Sequence, residues 1–358
     1  MDRRRSGRGV DRRSHPVEDA PLGDLTPGSR AGAWRTGRWR AATLLAAAQL
    51  PGSGALRADE FFPVRDENPL IRGFYLPLPS DSRLTDGQAI SATFAISNTL
   101  NVENRPHESV LIDGESDVLT LSYENSLGQS FRYRFTAPLI HDSGGFLDSA
   151  ISSWHRFFGF PQGSRPFYPK NEIVYSYSGR GNVDITQSQS GIGDISGEMG
   201  WYPIDDAHKT VSLWSGLAAP TGSASKLTGD GAWDGSVWAH GALRWPKWQL
   251  AAELGIAQPF GDEIFAGAAH KTSVFARFAA TRAFGSQWSL RAQLDGQSSR
   301  VEDSEIRLLG PSLVFTVGAV RRLGNRWRLE FGFAEDAAVN TAPDISFFLG
   351  IRRQSGAK

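Results

Sequence analysis

Apolar and polar residues alternate along most of the chain after residue 88. In the first run, 90–97, Ile90, Phe94 and Ile96 share one face, while serine and threonine occupy the other. A period of two with one apolar face is the signature of a β-strand. Further runs of this kind lie at 119–124, 131–136, 173–177, 211–217, 237–243, 250–256, 274–280, 290–294, 313–317, 329–333 and 345–351. The pattern therefore predicts an all-β protein with about 12 strands.

The links between these runs differ in length. Gly-containing or Pro-containing tetrapeptides at 244–247, 284–287 and 323–326 predict tight hairpin turns. Longer polar links lie at 257–271 and 297–307. Short turns on one rim and long loops on the other are typical of a bacterial outer-membrane barrel. A soluble β-sandwich is the alternative, because it also alternates but buries its apolar face inside.

Aromatic residues mark the ends of several runs, where amphipathic rings suit the level of the lipid headgroups. The predicted aromatic girdle contains Trp201, Tyr202, Trp245, Trp248, Trp288 and Trp327. In the last strand, Ile345, Phe347, Leu349 and Ile351 are expected to face lipid. These features favour a single closed antiparallel transmembrane β-barrel over residues 88–353, followed by a short tail at 354–358.

The N-terminal residues 1–58 resemble a leader that contains a signal peptide. Arg35, Arg38 and Arg40 precede an apolar run at 41–50, and small residues follow it. That order predicts export and cleavage, delivery by periplasmic chaperones and barrel-assembly machinery, and insertion among outer-membrane lipids. A basic tail on a cytoplasmic protein is the alternative. Residues 59–87 are rich in proline and charge, which predicts an extended lead-in or plug that can enter the lumen.

Composition excludes some functions. The chain has no cysteine, so it offers neither disulfides nor thiolate metal ligands. Of its 38 Lys and Arg residues, 11 lie before residue 59, which leaves 27 basic against 33 acidic residues beyond the leader. An acidic mature chain gives no electrostatic reason to bind nucleic acid. No cofactor or metal site is predicted, because the seven histidines show no ligand spacing.

One segment departs from the β pattern. Apolar residues recur at three- to five-residue spacing from Phe146 through Ile151, Trp154, Phe157 and Phe158, which predicts an amphipathic helical insertion at 143–159. Asp142 or Ser143 would cap its start, and Gly159 would end it. Its apolar face predicts an ordered cap over one barrel mouth. Three preceding strands would place the helix outside the cell, and four would place it in the periplasm.

His141 and Ser143, two positions apart at a strand end, allow one catalytic alternative. Their spacing is similar to that of outer-membrane phospholipase A, in which a base activates a serine for attack on an ester. A structural role for both residues is favoured, because Ser143 can cap the helix and Gly144-Gly145 can form the turn. No catalytic residues are therefore predicted, with a lipid hydrolase that uses Ser143 and His141 kept as the alternative.

The same region resembles a bacterial family defined as a domain of unknown function and regarded as outer-membrane-barrel-like. The resemblance rests on the run 141–149, on Trp154-His155 and on the run 158–165, and Asn68-Pro69-Leu70 fits the start of the family. It implies localisation and architecture, with no catalytic residues. The motif residues predicted to be structural are Asp142, Ser143, Gly144, Gly145, Phe146, Asp148, Trp154, His155, Pro161, Gly163 and Arg165.

A second resemblance begins at 191–195 and continues through 219–223. Gly-x-Gly-Asp followed by Pro-Thr-Gly is similar to barrels thought to pass hydrophobic or aromatic compounds. It implies a passive channel for small apolar molecules, which is the function predicted here. A structural or assembly barrel without a substrate is the first alternative, and the lipid hydrolase is the second.

Overall fold

The computed structural model describes residues 60–80 and 87–355, apart from positions 160, 161, 163, 266, 267, 269–271 and 339 and the side chains at 154, 155 and 158. The predicted leader, 1–58, lies outside the described residues. In the part of the chain described, no helix is both long enough and apolar enough to cross a membrane.

More than half of the described residues are in strands. The strands are β1 (Gln88–Asn104), β2 (Ser109–Leu127), β3 (Phe131–Ser143), β4 (Val174–Ser178), β5 (Asn182–Ile185), β6 (Gln189–Ile192), β7 (Ile195–Asp205), β8 (Lys209–Ala219), β9 (Asp234–Arg244), β10 (Trp248–Pro259), β11 (Ser273–Phe284), β12 (Trp288–Gln297), β13 (Ser312–Leu323), β14 (Trp327–Asp336) and β15 (Ile345–Gln354). Helix α1 spans Asp148–Phe158, and short 3₁₀ turns lie at Arg165–Phe167, Ala224–Lys226 and Arg307–Leu309.

Twelve of these strands form a closed antiparallel barrel, as the sequence predicts. The barrel consists of β1–β3 and β7–β15, and it closes because β1 pairs with both β2 and β15. Phe94, for example, lies opposite Leu119 on one side and Leu349 on the other. At one rim, β4 pairs with the start of β2, β5 pairs with β4, and β6 pairs with the end of β3.

The barrel wall is apolar outside and polar inside. Val237 and Leu254 are 51% and 61% exposed on the outer face, whereas Arg132 and Arg291 are 1% exposed in the interior. A soluble sandwich would bury the apolar face instead. The sandwich alternative is therefore wrong, and this polarity is that of a membrane barrel.

The two rims differ as predicted. Turns of three residues join the strands at the rim that also holds Gln88 and Gln354. At this rim the predicted turns contain Gly285 and Gly324, whose φ angles of 66° and 69° lie in the left-handed region that favours glycine. We call this the short-turn rim and the opposite one the long-loop rim. Three strands precede α1, so the helix lies at the long-loop rim.

Five of the predicted girdle tryptophans project outward at the short-turn rim, where they are 39–50% exposed. Arginines stack on three of these rings: Arg282 lies 5.2 Å from the ring centre of Trp248, and comparable pairs form at Trp288 and Trp327. Tyr202 does not belong to the girdle. It directly follows the outward Trp201, so it points into the lumen and is only 5% exposed.

The long-loop rim carries its own apolar core. Tyr175 and Tyr177 of β4 pack with Phe265 and Leu308 from the loops, and Leu70 of the lead-in reaches the same cluster. Glu108, at the tip between β1 and β2, binds this cluster through the Tyr177 hydroxyl, 2.8 Å away. Burial raises the pKa of Glu108, but hydrogen bonds from side chains and a backbone amide outweigh it and hold the pKa below its usual value.

Candidate functional site: the filled lumen

Residues 60–80, which we call the plug segment, lie inside the barrel and are largely buried. The run 76–79, Leu-Pro-Leu-Pro, has few amide donors, so it stays extended and leaves its carbonyls available. Wall arginines occupy those carbonyls. Arg134 donates to the Pro79 and Leu78 oxygens at 2.7 and 2.6 Å, and Arg277 donates to the Pro77 oxygen at 2.6 Å.

A buried ion pair fixes the middle of the plug segment. Arg72 donates to both carboxylate oxygens of Asp142 on β3, at 2.8 and 2.5 Å, and both side chains are fully buried. The same guanidinium donates to Ser116 at 2.8 Å and to the Leu227 oxygen at 3.1 Å. The motif residue Asp142 thus joins the plug segment to the wall, six residues before α1 begins.

Charged side chains of the wall are paired with each other around the rest of the plug segment. Glu253 accepts hydrogen bonds from Arg277 at 2.8 Å and from the Ser80 amide at 2.6 Å, and it lies 3.2 Å from His240. Glu124 similarly pairs with Arg352 at 2.9 Å. Charged side chains in a low-dielectric interior need such partners. These contacts make the plug segment part of the polar network of the lumen.

An aromatic row interrupts this polar lining. Tyr202, Trp214, Trp238 and Phe275 project inward from β7, β8, β9 and β11. Adjacent ring centres are 6.0, 5.8 and 6.4 Å apart, and the two indoles are nearly parallel at 13°. Leu76 of the plug segment packs in the same cluster. The row is an apolar surface inside the lumen that the plug segment covers.

Two glycines make room for these rings. A Cβ at Gly200 would lie 2.4 Å from the indole of Trp214, and one at Gly255 would lie 2.5 Å from Phe275 and Trp238. Both glycines stand in cross-strand register with the rings that cover them. The rings therefore lie flat against the wall instead of standing into the lumen. A glycine opposite an inward aromatic residue is the sequence signal for this row.

The described lumen has little free space. Two cavities between the plug segment and the wall measure about 30 and 20 Å³, room for one or two water molecules each. The first is lined by Phe61 and Leu78 of the plug segment and by Glu124 and Arg328 of the wall. At these two places the plug segment fills the space beside the wall.

The motif residues Asp148 and Arg165 attach α1 to the outside of the barrel rim. Arg165 donates to Asp148 at 2.8 Å and to Asn98 of β1 at 2.5 Å, and it also pairs with Asp344. Asp113, at the upper end of β2, faces this group. Burial and the neighbouring Asp148 raise the pKa of Asp113 to about 7, against an ordinary value of 3.8.

The predicted helix start is wrong in detail. Strand β3 runs to Ser143, so α1 begins only at Asp148. Glu115 of β2 accepts hydrogen bonds from the Phe146 and Leu147 amides at 3.3 and 3.1 Å, so a neighbouring strand holds the two residues that precede the helix. Asp142 and Ser143 therefore do not cap the helix.

The motif glycines allow the chain to turn between β3 and α1. Gly145 has a φ of 64°, and a Cβ there would meet the Glu115 side chain at 2.3 Å. At Gly144 a Cβ would meet the Asn171 oxygen at 2.0 Å. Both positions need glycine because another segment approaches the backbone closely.

Phe146 is 65% exposed and Phe157 is 82% exposed, so the apolar face predicted to be buried is only partly covered, chiefly at Ile151. The predicted positions Pro161 and Gly163 and the side chains of Trp154 and His155 lie outside the described residues.

The structure places His141 beside Ser190 instead of Ser143. His141 Nδ1 lies 2.8 Å from the Ser190 hydroxyl on β6. Ser143 instead accepts a hydrogen bond from the Gly145 amide at 3.2 Å. The contact that would let His141 activate Ser143 is therefore not formed in the described structure, and the geometry gives Ser143 a turn-forming role.

The Gly-Asp and Pro-Thr-Gly runs meet at the long-loop rim. Asp194 accepts a hydrogen bond from the Gly222 amide at 2.7 Å. Thr221 accepts one from the Ile195 amide and donates one to the Gly193 oxygen, both at 2.9 Å. These two runs thus fix the link between β6 and β7 against the loop after β8.

The fold and the filled lumen together define a plugged twelve-stranded barrel of the outer-membrane type. Residues 56–354 match the model of the family described as protein of unknown function (DUF3187), and the chain belongs to that family. None of the curated protein sequences compared with it matches this chain.

Solved structures share the architecture. The COG4313 outer membrane channel from Pseudomonas putida F1 is 16% identical, with a TM-score of 0.54, and the match covers 77% of this chain and 99% of that one. The toluene transporter TbuX from Ralstonia pickettii is 8% identical, with a TM-score of 0.39, and the match covers 76% and 91%. At these identities the first comparison supports the fold, and the second carries no argument.

Proposed function

We propose that this protein is an exported outer-membrane channel for small apolar molecules, closed in the described state by its plug segment. The observation that carries the proposal is the aromatic row, which forms an apolar surface inside a polar lumen and is covered by the plug segment. Chaperones of the periplasm and the barrel-assembly machinery would deliver the chain, with its leader cleaved during export. The outward apolar wall would then contact lipid.

The aromatic row suits an apolar solute better than an ion. Several charges of the wall are already engaged in ion pairs, as Glu253 and Arg277 show. The flat indoles of Trp214 and Trp238 would instead offer stacking and dispersion contacts once Leu76 moves away. Transport is then passive, because a solute gains contact area along the row without any chemical step.

Uptake of N-phenyl-1-naphthylamine by intact Gram-negative cells tests this proposal, since the fluorescence of this apolar probe rises when it enters the inner lipid. Cells that express the native barrel are expected to take it up faster than cells without it. Trp214→Leu should slow uptake, because it removes one of the two central rings of the row, and the indole of Trp214 donates to Ser212 of the wall. Trp288→Leu, on the outer wall, is the matched control. Equal uptake by all of these cells would contradict the proposal.

A structural barrel without a substrate is the second candidate. The small cavities and the apolar loop cluster over the long-loop rim favour it, because both close the lumen. The same uptake experiment separates the two functions. A correctly folded barrel that leaves uptake at the level of control cells would assign the structural role.

A further inference from the structure

The segment at 146–170, which we call the α1 segment, leaves three phenylalanines in contact with solvent. Phe146, before the helix, is 65% exposed, Phe157, in its last turn, is 82% exposed, and Phe167, in the following 3₁₀ turn, is 84% exposed. Large apolar side chains gain free energy when they leave water. Three of them in one rim segment mark an interaction surface.

This segment is held immediately beyond the lipid-facing wall. Asp148, the first residue of α1, accepts a hydrogen bond from Asn98 of β1 at 3.1 Å. Asn98 follows Ile96 by two residues, and Ile96 pairs with the outward Phe347. Two residues along a strand span about 6.6 Å. The start of α1 is therefore attached to β1 about 6.6 Å beyond the apolar outer face.

Charge and attachment agree with this position. Glu115 holds the Phe146 and Leu147 amides and stands opposite Asn98, so Phe146 is fixed at the same level. Two basic side chains of the segment, Arg156 and Lys170, are exposed. Basic and aromatic side chains together are typical of segments that lie in a membrane interface.

We propose that the α1 segment is a lipid anchor at the long-loop rim, in which Phe146, Phe157 and Phe167 enter the headgroup region of the outer leaflet. The occupant of this surface is the bilayer that surrounds the barrel, because the surface continues the apolar outer wall. This inference rests on the proposed outer-membrane location. It adds a second contact with lipid, which fixes the long-loop rim relative to the membrane plane.

Site-specific fluorescence quenching tests the anchor. The chain contains no cysteine, so single cysteines at 146, 157 or 167 can be labelled with bimane without other changes. Leu139→Cys, on the outer wall, is the lipid control, and Glu302→Cys, in an exposed loop, is the water control. The labelled proteins are placed in phosphatidylethanolamine and phosphatidylglycerol vesicles that carry a nitroxide at the headgroup or deep in the acyl chain.

If the segment is an anchor, the headgroup nitroxide should lower bimane fluorescence at the three phenylalanine positions at least twofold, relative to vesicles without nitroxide. Quenching like that at Glu302, together with normal quenching at Leu139, would overturn the anchor and leave the barrel proposal standing. A lack of quenching at Leu139 would overturn both. Disulfide-linked dimers of Phe157→Cys in the vesicles would assign the surface to a second copy of the chain and would also overturn the anchor.

Discussion

Removing the charge of Asp142 is expected to loosen the plug segment from the wall. Asp142→Asn keeps the shape of the side chain but leaves the guanidinium of Arg72, which is fully buried, without its counter-ion. Loss of one partner from a buried ion pair costs roughly 3–5 kcal/mol. The reverse change, Arg72→Met, should cost less, because Ser116 still donates to Asp142 at 2.8 Å.

The size of the effect follows from where this cost falls. If it falls on the contact between plug segment and wall, the ratio of displaced to seated plug rises about 100- to 4000-fold, at roughly 1.4 kcal/mol per factor of ten. A plug segment that is displaced only briefly in the native protein would then stay displaced for a much larger share of the time. The barrel wall keeps its strand pairing in both states.

Two measurements report displacement of the plug segment: open probability in planar bilayers, and the rate of tryptic cleavage after Arg65 in detergent. Arg65→Gln is the matched control for open probability, because the ion pair that Arg65 forms, with Glu67 at 3.4 Å, lies within the plug segment. The exchanged pair Arg72→Asp with Asp142→Arg should restore part of the closure. If Asp142→Asn leaves both open probability and cleavage unchanged, the ion pair does not hold the plug segment.

Three further changes have defined outcomes. Gly255→Ala should lower the urea midpoint by an amount equivalent to roughly 1–3 kcal/mol, because its Cβ would overlap the ring of Phe275 and the Cβ of Trp238, whereas Gly241→Ala, whose Cβ would meet one oxygen at 3.9 Å, should not. Asp113→Asn should slow proteolysis of the α1 segment at pH 8. The pKa of Asp113 is raised to about 7, so the stability that its protonated form gives to the folded segment is lost as pH rises from about 4 to 7. Equal proteolysis of the variant and the native protein at pH 8 would refute this. The lowered pKa of Glu108 gives stability that is present above its ordinary value of 4.5 and lost as pH falls below it, so hydrogen exchange of the long loops should increase below pH 4.5 in the native protein and much less in Glu108→Gln.

Local patterns predict the barrel because its wall is built from local rules. Alternation with a period of two fixes which side chains face lipid, and Gly285 and Gly324 fix two of the turns, so strand number follows from the sequence. The prediction of the girdle is wrong at Tyr202, because lying near a strand end does not determine whether a side chain faces lipid or lumen. The parity of Trp201 and Tyr202 already requires them to face opposite ways.

The contents of the lumen are harder to predict because their contacts are distant in sequence. Arg72 and Asp142 are separated by 70 positions, and Glu115 accepts hydrogen bonds from amides 31 and 32 positions away. Trp214 and Trp238 are partly predictable. Each lies at a position of its strand where the alternation predicts an inward polar side chain. Each also pairs across the sheet with a glycine and with the other inward tryptophan. An isolated apolar ring on a polar face therefore indicates a lumen feature.

The central claim, that residues 60–80 close an otherwise open channel, is tested most directly by single-channel conductance of a variant that lacks them. Its folding would be checked by the shift in gel mobility on heating that intact barrels show. The native chain should be silent or open only briefly in planar bilayers, and the folded variant should conduct steadily. A folded variant that is as silent as the native chain would contradict the account.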